Sequence, residues 1–131
     1  MDAGPRGVRR RRRRGRPHGR RPHHGRPLDT VLTARRYSAF AGTRLRSRLK
    51  ELGRDQVLVV GAAAHTDVLL TAADAWMQDL EAFVVADAVA DRTADDHTMA
   101  VRWLAATCAT VTLTESVRAE LRDRTADTMA I

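Results

Sequence analysis

Two stretches of the chain, QVLVVGA at 56–62 and AFVVADAVA at 82–90, are apolar on consecutive residues rather than on alternate ones. A strand written this way buries both of its faces, and the arrangement that buries both is a parallel sheet with helices packed above and below it. The segments between and around these runs fit that constraint. TVLTARRY at 30–37 has a β-branched start and reads as a strand. TRLRSRLKELG at 43–53 sets Leu45, Leu49 and Leu52 on one helical stripe, with Thr43 to cap its start and Gly53 to end it. TDVLLTAADAWMQDL at 66–80 aligns Leu69, Ala73, Trp76 and Leu80 as an inner stripe. Thr93 opens a further helix, with Asp96 at the capping-box position and Met99, Trp103 and Ala106 as its expected inner face. ATVTLTE at 109–115 is a third clear strand, and Thr114 caps a last helix carrying Val117 and Leu121. The order βαβαβαβα predicts an α/β fold: a three-layer, Rossmann-like, mostly parallel sheet with helices on both faces. Periodicity leaves the strand order open.

The charge divides the chain in two. Residues 1–30 hold eleven Arg and two Asp, a net of +9, which leaves −2 for the remainder of a chain whose total is +7. All four prolines, five of the eight glycines and three of the five histidines fall in the same segment. So few apolar side chains cannot offset the entropy of ordering, so 1–28 reads as a disordered Arg/Pro/Gly-rich tail and 29–131 as the folded domain. An Arg run of this kind binds polyanions by neutralising phosphates, and with no aromatic residue interleaved it does so without sequence preference. The tail lacks the apolar core of a secretory signal, and no later stretch approaches the roughly 18 apolar residues of a membrane helix. The single Cys108 permits no internal disulfide, so the expectations are a cytoplasmic protein, no membrane partner, and Cys108 as a small buried hydrophobe.

Four features carry a resemblance to a known family: DTVLTARRYSAF, LGRDQVLVVGAAAHTDVLLTAADAWMQD, FVVADAVADRTADDHTMAVRWLAATCATVTLTE, and the spacing between them. Together they run from about Asp29 to Glu115 and resemble the isochorismatase family of metal-independent α/β hydrolases, related to nicotinamidases. The RYSAF, AH, DA and VADA stretches are similar to those of isochorismatases of siderophore and phenazine biosynthesis. The resemblance implies hydrolysis of a vinyl ether, with release of pyruvate from isochorismate or a close analogue, and no cofactor or metal. It also implies a gap. Family members begin with an aspartate-bearing strand, a helix and a second strand ahead of the DTVL stretch, where this chain has its Arg-rich segment. Those first two strands are therefore expected to be missing, leaving a truncated sheet with unpaired backbone and an uncovered apolar face.

Vinyl ether hydrolysis needs a proton delivered to the enol carbon. In the family the expected donor is an aspartate on the early strand, with a lysine near it. The lysine of the family's LTKWRYSAF pattern corresponds to Ala34, which can carry neither charge nor proton. Arg35 alternates to the opposite face and Arg36 matches an arginine already in the motif, so neither replaces it. At the junction after the second strand the family's GVYAH becomes GAAAH, and a pocket tyrosine becomes Ala63. The position that holds the nucleophilic cysteine of nicotinamidase-like relatives, and commonly glycine in isochorismatases, is Asp67. A carboxylate there sits comfortably in a first helical turn, yet would compete with an anionic substrate for the same field. Arg36, Tyr37, Phe40 and His65 are the substrate-binding positions that the resemblance implies. Asp87 and Asp91 read as loop bridges or helix caps; as a metal pair they lack further ligands. Asp95, Asp96 and His97 form a charged first turn that the helix dipole explains.

Three functions follow. The first is an isochorismatase-like hydrolase, weakly active or inactive. The second is a non-catalytic protein that pairs with itself or with an intact family member. The third is a polyanion-binding protein acting through its tail.

Overall fold

The computed structural model describes residues 29–129, with side chains up to residue 125. The chain parts into two units, Met1–Val31 and Leu32–Ile131; the fold described below is that of the second. The expected disordered tail lies outside the described residues.

The order is α1 (Leu45–Glu51), β1 (Gln56–Ala62), a π-helical turn (Ala64–Val68) running into α2 (Leu69–Met77), β2 (Glu81–Ala90), α3 (Ala94–Thr107), β3 (Ala109–Thr112) and α4 (Thr114–Met129). The three strands form a single parallel sheet in the order β1-β2-β3. The α/β class and parallel sheet read from the sequence are thus those of the structure.

The strand expected at 30–37 does not form: 29–34 is irregular and 35–38 bends toward α1. A strand needs a neighbouring strand to take its backbone groups, and the sheet of the described residues consists of β1, β2 and β3 alone. It is held instead by side chains. Ser38 Oγ donates to Asp74 Oδ2 at 2.7 Å, and Ala39 N–H donates to Thr71 Oγ1 at 2.9 Å. Both partners lie on α2, and Phe40 is buried in the core.

Two helices end, and one begins, at well-formed caps. After α1, Gly53 takes φ +64°; its N–H reaches Lys50 O at 3.0 Å and that of Arg54 reaches Leu49 O at 2.9 Å. That is the paired closure of a Schellman motif. The same closure ends α2, where Asp79 N–H bonds Trp76 O at 3.1 Å and Leu80 N–H bonds Ala75 O at 3.0 Å. Here a non-glycine residue occupies the left-handed position, with φ 60°. Thr93 caps α3 by accepting from Asp96 N–H at 3.1 Å, as the capping-box spacing predicts.

The inner face of α2 is the expected one in part: Leu80 is buried and Leu69 and Ala73 pack against the core, but the fully buried residues of the helix are Ala72 and Ala75, and Trp76 turns out with Met77. The inner face of α3 differs, with Ala100 and Leu104 buried while Met99, Trp103 and Ala106 are exposed. Alanine stripes let the helices approach the strands and each other closely, and the bulky residues one position away turn outward. The sheet face toward them carries Val57, Val59, Ala82 and Val84 in the core cluster. β2 is covered on both faces at its centre, with Val84 and Val85 both buried. β1 is not: Leu58 and Val60 are 51% and 57% exposed. The expectation of a doubly covered strand at 56–62 therefore fails, because no described helix packs over that face.

Pairing of β1 with β2 is regular through Val59↔Val84 and resumes at Gly61↔Val89. Four residues of β2, Val85 to Ala88, thus face Val60 alone, a bulge larger than the usual two residues against one. Gly61 meets it with φ 111°, a conformation that side chains disfavour. Helices secure the bulge. His97 Nε2 of α3 lies 2.9 Å from Ala86 O, and Asp87 Oδ1 accepts both the N–H and the hydroxyl of Thr114 at 2.8 Å.

Candidate active site

In a parallel α/β sheet, ligands bind where the strands deliver their carboxyl ends, because loops and helix starts converge there. β1 ends at Ala62, the Ala62–Ala63 peptide is cis, and Ala63 is extended before the π-helical turn begins. That turn is closed by Val68 N–H donating to Ala63 O at 3.1 Å. It presents His65, Thr66 and Asp67 beside the end of β2.

The bulge in β2 brings Asp91 to this turn. Its Oδ2 accepts the His65 backbone N–H at 2.8 Å and lies 2.6 Å from His65 Nδ1, while its Oδ1 accepts the Arg92 N–H at 2.7 Å. The Asp91 side chain is shielded from solvent and the His65 side chain is one-third exposed. Burial alone pushes the Asp91 carboxyl up. The bonds from the His65 ring, the His65 N–H and the Arg92 N–H overcome that and hold it at about 2. The same bond to Asp91 holds the His65 imidazole above its ordinary value against partial desolvation, aided by the charges of Asp91 and Asp96 and opposed by Arg92. Asp96, half-buried in the first turn of α3, completes a trio: one donor atom from each of His65, Asp91 and Asp96 lies within 4.8 Å of the others.

The remaining sequence-derived positions are more scattered. Ala34 is partly exposed in the irregular segment before α1. Arg36 is exposed, its Nη1 donating to Arg35 O at 3.5 Å, and Tyr37 is exposed; neither enters the hydrogen bonds around His65. Phe40 is a core residue. Ala63 precedes the turn and Asp67 lies within it, exposed and accepting from the Thr66 hydroxyl at 3.1 Å. Asp87 caps α4, and the Thr114 N–H followed by the Thr114 hydroxyl lowers its carboxyl. Sequence reading picked out His65 and Asp91 separately and missed their pairing. The available signal was a His shortly after one apolar run and an Asp directly after the next.

The fold and the polar groups gathered at its strand ends define the chain as a parallel α/β domain with a candidate site at the usual place for that architecture. Comparison narrows the class. The Isochorismatase domain model matches residues 7–116. Enterobactin synthase component B of Escherichia coli K12 is 44% identical over 89 residues, which is 68% of this chain and 31% of that protein. The phenazine biosynthesis protein PhzD of Pseudomonas fluorescens is 44% identical over 91 residues, 70% of this chain and 44% of that one. Among solved structures, an isochorismatase family protein from Desulfovibrio vulgaris superposes with a TM-score of 0.71 at 29% identity, covering 76% of this chain and 53% of that one. The chain belongs to the isochorismatase family. It spans less than half the length of these two curated relatives.

Proposed function

We propose that the chain is a domain of a vinyl ether hydrolase for an isochorismate-type substrate, and that by itself it turns that substrate over weakly or not at all. The products of the reaction would be pyruvate and a dihydro-dihydroxybenzoate-type diol. The observation that carries the reading is the turn after β1. It places His65, which the resemblance matches to a family histidine, at the end of β1, yet presents an exposed carboxylate at Asp67. The reaction requires protonation of the terminal enol carbon, addition of water to the oxocarbenium ion, and collapse of the hemiketal. Ala34 and Ala63 can move no proton, and Asp67 repels an anionic substrate at the place where a turn's N–H groups would attract it. In a lactate dehydrogenase-coupled assay with isochorismate, the isolated chain should release no pyruvate above the buffer rate. Robust turnover would overturn the reading.

A second reading has its own support, the exposure of Leu58 and Val60 side by side on β1. It holds that the chain is an interaction protein, pairing through this strand with itself or with an intact family member.

A further inference from the structure

The carboxyl ends of β1 and β2 bring ligand-type side chains from three separate elements to one point: His65 from the π-helical turn, Asp91 from the end of β2, and Asp96 from the first turn of α3. We propose that these three residues form a binding site for one first-row divalent cation of the zinc type, through a ring nitrogen of His65 and one oxygen from each carboxylate, with water completing the coordination.

Charge, donor type and support all point the same way. Two carboxylates against one imidazole leave the cluster net negative even with the ring protonated, and a divalent cation in place of the ring proton brings it to neutrality. An imidazole among carboxylates suits zinc, whereas calcium and magnesium favour oxygen-only sets. Asp91 is already fixed by the N–H groups of His65 and Arg92, at 2.8 and 2.7 Å, which is the outer-shell support that orients a ligating carboxylate. Entry of the cation has to part His65 Nδ1 and Asp91 Oδ2 from their 2.6 Å contact. Zinc bonds of about 2.0–2.1 Å place tetrahedral ligands roughly 3.3 Å apart, and the shift falls to His65, whose side chain is one-third exposed where that of Asp91 is shielded. Spacing alone set metal binding aside because Asp87 and Asp91 lack further ligands; the other ligands come from His65, 26 residues upstream, and from Asp96 rather than Asp87.

The test is calorimetric titration of the full chain with Zn2+ in chelator-stripped buffer, with Co2+ absorption reporting the ligand set. The Arg-rich segment carries His18, His23 and His24, so the reference protein is the triple variant His18→Gln, His23→Gln, His24→Gln. It should bind one equivalent and give the visible bands of four-coordinate Co2+. Adding His65→Gln or Asp96→Ala should weaken that equivalent ~10-fold or more. No equivalent in the triple variant, or one that neither added substitution disturbs, overturns the site. Should His65→Gln lose its circular dichroism signature, Asp96→Ala alone decides. Binding is read without turnover, so failure here leaves the hydrolase reading where it stands.

Discussion

At the scale of single residues, the pairing of His65 with Asp91 ties the turn after β1 to the end of β2, and its worth depends on pH in two directions. Asp91 is held at about 2, below the ordinary carboxylate value near 3.9. Its contribution to stability is therefore fully present above about pH 4 and is lost as pH falls through about 2. His65 is raised, so its contribution is present below its ordinary value near 6.5 and fades as pH rises through the raised one. Both are complete between about pH 4 and 6. Asp91→Asn should therefore lower the melting temperature most near pH 5, and less near pH 2 and pH 9, when melts are followed by circular dichroism in EDTA. Equal losses at all three would show that the pair does not titrate as a unit. The sequence displayed His65 and Asp91 as individuals because each follows an apolar run. Their meeting depends on the extra residues of β2 opposite Val60, and a bulge leaves no mark in hydropathy.

At the scale of elements, the positions of β1, β2 and α3 were legible nearly to the residue, since continuous apolar runs and a capping box are local signals. Which way a helix faces was less so. Trp76 and Trp103 satisfy helical spacing as well as Ala75 and Leu104 do, and the spacing cannot say which of two adjacent stripes the sheet accepts. Close approach selected the alanines. The segment 30–37 was misread because β-branching reports a preference for extended backbone, whereas a strand also requires a neighbour. The two Schellman closures are alike except for the residue at the left-handed position, Gly53 in one and Asp79 in the other. A non-glycine residue there costs about 1 kcal/mol, so Asp79→Gly should stabilise the fold by about 1 kcal/mol in urea denaturation, with an unchanged m-value. A loss of stability would mean that the Asp79 side chain makes a compensating contact.

At the scale of the whole molecule, the sheet is well covered at β2 and open at β1. Leu58 and Val60 lie on a strand whose far edge meets no other strand among the described residues, and such an edge invites pairing with another chain. If the second reading holds, the chain should elute above its monomer mass in size-exclusion chromatography, and Leu58→Lys with Val60→Lys should return it to monomer size. A wild-type chain that elutes as a monomer counts against that reading. No described helix is long and apolar enough to cross a membrane.

Strand order equals chain order, and that shapes how the protein is made. Val59 pairs with Val84 and Ala82 with Ala109, so every rung of the ladder joins residues less than thirty positions apart. Closing spans of that size costs less entropy than joining strands from opposite ends of the chain would. The sheet can be laid down strand by strand as the polypeptide leaves the ribosome, with no early piece waiting on a late one. Assembly can begin as soon as β2 has emerged to pair with β1, and a pause in translation after β2 leaves a nascent two-stranded βαβ unit rather than an unstructured thread.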